Sequence, residues 1–283
     1  MQILKGTDVV AAMNSKLKKE LSQLSTPIPH LAIVRIGERP DDLSYERGAK
    51  KRMETIGLHC SSYAYPETIT NTEFQKIFAD LNADQQIDGI LLLRPLPKHI
   101  DEQAIASLID PEKDVDGISP INMAKVFAGD SSGFAPCTAE AVIEMLDYTQ
   151  IPLAGKQAVL VGRSLVVGKP LSMLLLQKNC TVTICHTKTA DLSSVCQTAD
   201  ILIACAGRAK MLNQSYIRPQ AVVIDVGINL DENNKLCGDV DFESISPVAA
   251  LATPVPGGVG TVTTSVLAKH LIESAKRRKA EIE

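Results

Sequence analysis

The chain has 283 residues, of which 29 are Lys or Arg and 33 are Asp or Glu, so its formal net charge is −4. This balance excludes nucleic-acid binding through bulk positive charge, and the absence of Trp, with only 5 Tyr and 5 Phe, leaves few side chains for base stacking. At about 150 residues per domain, the length predicts two domains or one large one. The apolar runs are all shorter than the roughly 18 residues of a membrane span, so we expect neither nucleic acid nor membrane as a partner.

The seven cysteines are scattered and never form a C-x-x-C pair. Their odd number and irregular spacing favour reduced thiols over a disulfide framework or a zinc site, and we expect no metal. The first residues contain charges and no long apolar stretch, so they do not resemble a secretion signal. Together these features predict a cytoplasmic protein.

Short apolar runs alternate with helical patterns along most of the chain. The predicted strands, in chain order, are residues 31–37, 89–93, 157–162, 181–186, 201–207 and 221–227. Most of these runs are continuously apolar, which is typical of parallel strands covered on both faces. The predicted helices are residues 8–24, 42–56, 139–149 and about 261–279. This alternation predicts an α/β protein with a doubly wound parallel sheet.

Oxygen-bearing side chains lie at the start of three of these helices. They are the expected N-caps, because such side chains accept hydrogen bonds from the free N–H groups of a first turn: Thr7 or Asp8, Asp41 or Asp42, and Thr138. Gly57 is the expected end of the second helix, since glycine favours the left-handed conformation that stops a helix.

A domain boundary is predicted near residue 150, where the connector IPLAGK (151–156) separates a helix from a strand–turn–helix–strand pattern. The turn in this pattern opens with Gly162, and Gly168 begins the next helix, close to Pro170. Glycine lets a phosphate approach the backbone, and the helix N-terminus supplies free N–H groups, so we interpret this turn as a dinucleotide-binding turn. The alternative is a parallel-sheet turn that binds no ligand.

The end of the next strand distinguishes the two nicotinamide cofactors. Turns that prefer NAD place Asp or Glu there to bind the ribose hydroxyls. Here the strand ends in His-Thr-Lys-Thr (186–189), and Arg163 stands in the phosphate turn. A cation and hydroxyls in place of a carboxylate suit a 2′-phosphate, which favours NADP. The alternative is that Arg163 and Lys188 are solvated surface charges.

Seven segments, spread over nearly the whole chain, form an ordered set of motifs. They are the helix around Tyr45, DGILLLRPLP (88–97), KDVDGI (113–118), PCTAEA (136–141), VGRSLVVGKP (161–170), VIDVGIN (223–229) and TPVPGGVGTVT (253–263). The set resembles the FolD family of methylenetetrahydrofolate dehydrogenases/methenyltetrahydrofolate cyclohydrolases. The resemblance implies NADP-dependent oxidation of 5,10-methylenetetrahydrofolate, followed by hydrolysis of the methenyl product to 10-formyltetrahydrofolate.

The resemblance also implies a domain organisation. It assigns residues 1–149 to a folate-binding catalytic domain, completed by a C-terminal helix of about 261–283. Residues 150–260 would form a Rossmann-type NADP-binding domain, with the active cleft between the two domains. The expected partners are tetrahydrofolate derivatives and a second copy of the chain in a homodimer.

Residue roles follow from the matching motifs. Tyr45 would stack on the pterin and Asp116 would hydrogen-bond to its ring, which makes both candidate catalytic residues. The residues expected along the folate and the nicotinamide are Pro254, Gly257 and Gly258. Those expected to contact NADP are Gly162, Arg163, Ser164, Thr187 and Ile228. Without the resemblance, Asp116 would be interpreted as a turn aspartate and Tyr45 as a surface residue of an amphipathic helix.

The sequence departs from the family motif at two linked positions. Where the family has Lys four residues after the tyrosine, this chain has Ala49, and where the family has Gln in the following strand, it has Leu93. We expect Arg94 to point away from the site, because successive strand side chains face opposite sides. The alternatives are that Arg94 or Arg52 takes over the lysine's role, or that a one-residue shift places Lys50 there.

This departure predicts weakened hydrolysis. Water must lose a proton as it attacks the methenyl cation, and a positioned lysine suits that transfer. Hydride transfer depends instead on the alignment of two bound rings. The alternatives are a dehydrogenase without cyclohydrolase activity, or a non-catalytic folate- and NADP-binding protein.

Overall fold

The structure is a computed structural model that describes residues 1–24 and 27–280, the last two by their backbone alone. Within it the chain forms two compact units. The six-stranded unit contains Met1–Ala12 and Thr138–Thr263, and the three-stranded unit contains Met13–Cys137 and the described residues from Thr264 onward. The functional domains predicted from the sequence, 1–149 with 261–283 and 150–260, stay a prediction; residues 281–283 lie outside the described residues.

In chain order, the described residues form β1 (Gln2–Ile3), α1 (Gly6–Ser22), β2 (His30–Ile36), α2 (Pro40–Ile56), β3 (His59–Tyr65), α3 (Asn71–Ala83), β4 (Gly89–Leu92), α4 (Glu102–Leu108), α5 (Pro120–Ala128), α6 (Cys137–Thr149), β5 (Gln157–Val161), α7 (Gly168–Gln177), β6 (Thr181–Cys185), α8 (Leu192–Cys196), β7 (Ile201–Ala204), β8 (Val222–Asp225), β9 (Asn229–Leu230), β10 (Leu236–Cys237), α9 (Phe242–Ile245), β11 (Leu251–Ala252) and α10 (Val259–Ala280).

The six-stranded unit is built on a parallel sheet with the strand order β1-β11-β8-β7-β5-β6. From β5 the chain moves to β6 on one side and then to β7 on the other. The strand order therefore reverses at the carboxyl ends of β5 and β7, which is where open parallel sheets bind ligands. This arrangement confirms the predicted doubly wound α/β fold.

The three-stranded unit has the same kind of reversal in strand order, in a smaller sheet. Its parallel sheet has the order β3-β2-β4, so the chain moves from β2 to β3 on one side and to β4 on the other. The reversal lies at the carboxyl ends of β2 and β4. The strand and helix side chains that form the core of this unit include Val34, Phe74, Phe78, Ile90 and Leu92, each at most 2% exposed.

All six predicted strands are present, as β2 and β4 to β8. β3 was not expected, and it lies at the edge of its sheet with mostly half-exposed or exposed residues. The sequence HCSSYAY therefore lacks the continuous apolar signal of the central strands. Among the described residues, we find no helix whose length and apolar content suit a membrane crossing.

The predicted N-cap of α2 is wrong. The helix begins at Pro40 after Arg39, which makes no side-chain cap hydrogen bond. Asp41 and Asp42 lie in the first turn instead, where the helix dipole favours carboxylates. Gly57 ends α2 as predicted, with a φ of 97° that suits glycine.

The other two N-cap predictions are also wrong by a residue or more. α1 begins at Gly6, so that Thr7 and Asp8 lie inside the helix. α6 begins at Cys137, so that Thr138 is likewise helical. A Cβ added to Gly6 would overlap the carbonyl oxygen of Gly258, so the start of α1 lies close against the loop after β11.

Candidate active site

The turn after β5 is shaped by two glycines. Gly162 has a φ of 144°, and a Cβ added to it would overlap the carbonyl oxygen of Cys205, the residue after β7. A Cβ added to Gly168 would overlap the carbonyl oxygen of Gly162. The turn therefore lies against the end of β7, at the point where the strand order reverses.

The helix that follows this turn presents an N-terminus suited to phosphate. Its N-cap residue, Val167, makes no side-chain cap hydrogen bond. The N–H of Val167 donates to Ser164 Oγ at 3.1 Å, and the N–H of Lys169 donates to the Ser164 carbonyl oxygen at 3.0 Å. Ser164 thus fixes the turn, while the positive end of the helix dipole stays available to an anion. A nucleotide phosphate fits this cradle.

The loop after β6 lies beside this turn, because β5 and β6 are paired neighbours. The N–H of His186 donates to Thr189 Oγ1 at 2.8 Å, and the N–H of Lys188 donates to His186 Nδ1 at 3.1 Å. These bonds hold the loop, and Thr187 and Arg163 are both exposed. The edge of the sheet therefore offers a cation and a hydroxyl group at the end of the strand where NAD-binding turns place an acid.

Two buried aspartates hold the loops at the ends of β7 and β8. Asp239 is fully buried, and its carboxylate accepts hydrogen bonds from the N–H groups of Ala206, Gly207 and Arg208 at 2.6, 3.0 and 2.7 Å. Asn229 Nδ2 donates a fourth bond to it at 2.9 Å. One side chain thus fixes the loop after β7 and joins it to the loop after β8.

The carboxylate of Asp225 likewise holds the loop that follows β8. Its carboxylate accepts hydrogen bonds from the N–H groups of Gly227, Asp239 and Val240 at 3.0, 3.0 and 2.9 Å. Burial raises the pKa of Asp225 to about 7, even though the three N–H donors favour the ionised form. Burial and the two nearby carboxylates raise the pKa of the Cys205 thiol to about 12, so that this cysteine stays protonated.

The residues after β8 and β11 complete this edge of the six-stranded unit. Ile228 is 67% exposed, a large exposure for an apolar side chain next to such a rigid loop. Gly257 has a φ of 99°, and its carbonyl oxygen accepts a bond from the N–H of Gly6 at 2.8 Å. A Cβ on Gly258 would overlap the carbonyl oxygen of Pro254, so the loop is compact. The folate and nicotinamide roles of Pro254, Gly257 and Gly258 stay predictions.

In the three-stranded unit, Asp116 lies at the corresponding edge. Asp116 Oδ1 accepts a hydrogen bond from the N–H of Cys137 at 3.2 Å. The pKa of Asp116 is raised above its ordinary value, because burial outweighs the charge of Arg94 and the hydrogen bonds from Cys137, which lower it. Tyr45 is half-buried on α2. The roles of Tyr45 and Asp116 in pterin binding stay predictions.

The loop that carries Asp116 is held by its neighbour Asp114. The buried Asp114 carboxylate accepts bonds from the N–H groups of Ile118 and Ser119 at 2.9 and 2.7 Å, and from Asn122 Nδ2 at 2.9 Å. Within KDVDG, the first aspartate therefore holds the backbone of the loop.

The two positions that depart from the family motif are apolar and buried. Ala49 is 0% exposed and Leu93 is 6% exposed. Lys50 Nζ lies 2.8 Å from Glu46 Oε1, so that its ammonium is already in an ion pair. Arg52 Nε donates to Thr264 Oγ1 at 3.3 Å. Both cations of α2 thus have partners among the described residues, and the alternatives that give them the lysine's role stay predictions.

The expectation that Arg94 points away from the site stays a prediction. β4 ends at Leu92, so that the alternation of a strand does not extend to Arg94. Its charge acts on Asp116, and its Nη1 lies 3.5 Å from Glu102 Oε1. Arg94 therefore belongs to the surroundings of Asp116.

Comparison with known proteins identifies the family. Residues 4–116 match the model of the tetrahydrofolate dehydrogenase/cyclohydrolase catalytic domain, and residues 136–279 match that of the NAD(P)-binding domain of the same family. The chain belongs to the tetrahydrofolate dehydrogenase/cyclohydrolase family. The predicted resemblance is confirmed, and with it the Rossmann-type nucleotide-binding part of the chain.

Individual relatives match over nearly their whole length. The bifunctional protein FolD of Clostridium kluyveri is 51% identical over 278 residues, which are 98% of this chain and 98% of that protein. The crystal structure of the bifunctional FolD enzyme of Campylobacter jejuni has a TM-score of 0.95 and 39% identity, and covers 98% of this chain and 99% of that one. The Trypanosoma brucei family member, solved with NADP cofactor and an inhibitor, has a TM-score of 0.91 and 32% identity over 98% of this chain and 97% of that one.

Sequence reasoning missed Asp225 and Asp239, which hold the nucleotide-side loops. A signal for Asp225 is present in the sequence, because it interrupts the continuously apolar run AVVIDVGI (221–228). A buried acid at the end of a central strand requires hydrogen-bond donors. Asp239 carries no such local signal, since its partners at 206–208 are distant in the chain.

The raised pKa of Asp225 predicts a pH-dependent stability. Between the ordinary aspartate pKa and about 7, the folded protein holds a proton that the unfolded chain has released. Raising the pH through this range should therefore lower the free energy of unfolding, by at most about 1.4 kcal/mol per pH unit for one group. Asp225→Asn should remove this part of the slope, measured by urea unfolding at several pH values from about 4 to 8.

Asp241→Asn is the matched control, because Asp241 caps the short helix α9 and asparagine caps equally well. It should keep the slope of the unmodified protein. An identical slope in Asp225→Asn and the unmodified protein would contradict the assignment.

Proposed function

We propose that the protein oxidises 5,10-methylenetetrahydrofolate to 5,10-methenyltetrahydrofolate with NADP⁺, and that it hydrolyses the product to 10-formyltetrahydrofolate slowly. Membership of the family over nearly the full chain supports the two reactions. The observation that carries the proposal is the turn with Gly162 and Gly168, which lies where the strand order of the six-stranded sheet reverses. Such positions are the usual ligand sites of open α/β sheets.

The cofactor is NADP in this proposal. Gly162 and Ser164 would meet the phosphates beside the N-terminus of α7, and Arg163 and Thr187 would contact the 2′-phosphate end. Ile228 would give an apolar surface to the nicotinamide. When bound, the cofactor accepts a hydride. The exposed Arg163 and the lack of an acid at 186–189 support NADP over NAD, as does the Trypanosoma brucei relative solved with NADP.

The folate would be held by the residues that the family resemblance assigns to it. Tyr45 would stack on the pterin, and Asp116 would accept hydrogen bonds from its N–H groups. The compact loop with Pro254, Gly257 and Gly258 exposes backbone that a flat ring can approach closely. These residues act by alignment, which is the main requirement of hydride transfer between two bound rings.

Hydrolysis needs more than alignment. A water must lose a proton during attack, and a ring nitrogen must gain one as the ring opens. Ala49 and Leu93 offer no proton-transfer group, and Lys50 is paired with Glu46. A guanidinium stays protonated and does not exchange protons readily. These observations support slow hydrolysis, and they favour a dehydrogenase without cyclohydrolase activity as the second candidate.

The proposed setting is one-carbon metabolism in the cytoplasm, where 10-formyltetrahydrofolate supplies formyl groups for purine biosynthesis. We also infer a homodimer, which the family resemblance implies. The third candidate, a silent folate- and NADP-binding protein, is disfavoured because a scaffold requires neither a complete phosphate turn nor a compact PVPGGVG loop.

The cofactor proposal predicts the effect of Arg163→Ala. The variant should weaken NADP⁺ binding about ten- to a hundredfold and leave NAD⁺ binding nearly unchanged, because only NADP⁺ loses a charge-assisted contact. Fluorescence titration with each cofactor measures both affinities. Equal losses for the two cofactors would refute the role of Arg163.

Arg218→Ala is the matched control. Arg218 pairs with Asp200, whose carboxylate also accepts the N–H of Gln157 at the amino end of β5. This arginine lies at the opposite edge of the sheet from Gly162, so that its removal should change neither affinity.

A two-step assay tests the reactions themselves. The purified protein should form NADPH from NADP⁺ and 5,10-methylenetetrahydrofolate, while the methenyl product accumulates because its hydrolysis is slow. Ala49→Lys with Leu93→Gln should raise hydrolysis, since general acid–base assistance is typically worth about 100- to 10,000-fold. Ala49→Lys alone should do less, because an ammonium against Leu93 would be poorly solvated.

Ala49→Met with Leu93→Gln is the control for side-chain volume, and it should not raise hydrolysis. Absence of NADPH formation would contradict the proposed dehydrogenase. Hydrolysis as fast as oxidation in the unmodified protein would contradict the proposed deficit.

A further inference from the structure

Two loops leave the six-stranded sheet side by side where its strand order reverses. β5 and β7 are paired up to Val161 and Ala204, and the N–H of Cys205 still donates to the Val161 carbonyl oxygen at 3.0 Å. A Cβ added to Gly162 would overlap the carbonyl oxygen of Cys205. The loop after β7, residues 205–210, therefore begins directly against the turn after β5, and a crevice opens between the two.

The backbone of the loop after β7 has little left to offer to an anion. The N–H groups of Ala206, Gly207 and Arg208 all donate to the buried carboxylate of Asp239, at 2.6, 3.0 and 2.7 Å. This differs from the N-terminus of α7, where the positive end of the helix dipole is available to a ligand. From residues 206–208, a ligand can therefore receive hydrogen bonds only from a side chain.

The loop carries two cations, Arg208 and Lys210, and they have different surroundings. Lys210 Nζ lies 3.3 Å from Asp231 Oδ2, so that its charge is paired. Arg208 is exposed, and within the part of the chain that the structure describes its guanidinium has no ion-pair or hydrogen-bond partner. A Cβ added to Gly207 would meet no described atom within 4 Å outside its chain neighbours. An unpaired guanidinium thus stands on a fixed backbone beside open space.

The charges at this edge favour a cation in that place. Asp239 is fully buried and brings a negative charge into the loop itself, and Asp225 is buried next to it. A diphosphate carries a negative charge on each of its phosphates, and buried carboxylates repel it more strongly than solvated ones do. The end of a helix dipole supplies only about half an elementary charge. A diphosphate bound here therefore needs further positive charge.

We propose that Arg208 is a cofactor-binding residue that pairs with the diphosphate of the dinucleotide, from the side of the crevice opposite Gly162. This role rests on the proposed function, because NADP is taken as the ligand. In open parallel sheets the diphosphate lies at the glycine turn, where the strand order reverses. A planar guanidinium donates two parallel N–H bonds to phosphate oxygens, a geometry that a lysine ammonium does not reproduce.

The two arginines at this edge then have different tasks. The 2′-phosphate is present in NADP alone, whereas NADP and NAD both contain the diphosphate. Arg163 therefore determines the choice between the two cofactors, and Arg208 contributes equally to the binding of both. Because the diphosphate keeps its charge during hydride transfer, Arg208 stabilises the bound ground state and the transition state alike.

Nucleotide fragments test this division of tasks. ADP-ribose contains the diphosphate without the 2′-phosphate, and adenosine 2′-phosphate contains the 2′-phosphate without the diphosphate. In Arg208→Met, calorimetric titration should show about ten- to a hundredfold weaker binding of ADP-ribose, NADP⁺ and NAD⁺, the size expected for a lost charge-assisted hydrogen bond. Its affinity for adenosine 2′-phosphate should stay unchanged. Arg163→Ala should show the opposite pattern for the two fragments.

Lys210→Met is the matched control, because it removes an equal charge from the same loop and breaks the ion pair with Asp231. It should leave the affinity for ADP-ribose nearly unchanged. Arg208→Lys keeps the charge without the planar fork and should lose less affinity than Arg208→Met. Should Arg208→Met fail to fold, Arg208→Gln carries the same expectations.

Three results would overturn the role of Arg208. They are an unchanged affinity for ADP-ribose in Arg208→Met, an equal loss in Lys210→Met, and a loss confined to NADP⁺. The first shows that the guanidinium makes no contact, the second that only the general field of the loop matters, and the third that the contact is with the 2′-phosphate.

A kinetic measurement separates this role from the proposed function. In Arg208→Met, the KM for NADP⁺ should rise while kcat stays nearly unchanged, as expected for a contact that is equal in the ground state and the transition state. A lower kcat with an unchanged KM would contradict the role of Arg208 alone. If the unmodified protein forms no NADPH while Arg208→Met still weakens ADP-ribose binding, the proposed function is contradicted and the role of Arg208 stands.

Discussion

The carboxyl ends of parallel strands leave backbone N–H groups that are shut away from water and need acceptors. In this protein buried aspartates meet that need. Asp239 and Asp225 bind the loops after β7 and β8, and Asp114 binds the loop that carries Asp116. An unsatisfied buried N–H group costs about 1–3 kcal/mol, so these carboxylates fix the loops tightly. These hydrogen bonds position the loops that carry the residues predicted to bind the ligands.

The two units use carboxylates with different electrostatic surroundings. Asp225 and Asp239 lie close together, so that burial and mutual repulsion keep the pKa of Asp225 near 7. Burial also raises the pKa of Asp116, and the positive charge of Arg94 offsets this effect only in part. The loops of the six-stranded unit are therefore held in part by a carboxylate, Asp225, whose pKa lies near 7.

Local requirements made part of this arrangement predictable from the sequence. Continuous apolar runs indicate the central strands, and the glycines of the nucleotide turn are required by close backbone contacts that any such turn shares. The edge strand β3 was missed because its half-exposed residues carry no apolar run. Strand alternation could not predict the surroundings of Arg94, because β4 ends at Leu92 and strand ends are set by tertiary hydrogen bonds. The role of Asp239 depends on partners about 30 residues away, which no local pattern reveals.

The most direct test of this account is amide hydrogen exchange in Asp239→Asn and the unmodified protein. Asparagine keeps one acceptor oxygen and replaces the other with an amide donor, so the bond lost is either that of Arg208 to Oδ1 or those of Ala206 and Gly207 to Oδ2. The account predicts that at least one of these two sets of amides exchanges at least about tenfold faster, which corresponds to about 1.4 kcal/mol of lost protection, while the amides of β5 keep their rates. Unchanged exchange at 206–208 would show that the carboxylate does not hold the loop, and would contradict the account.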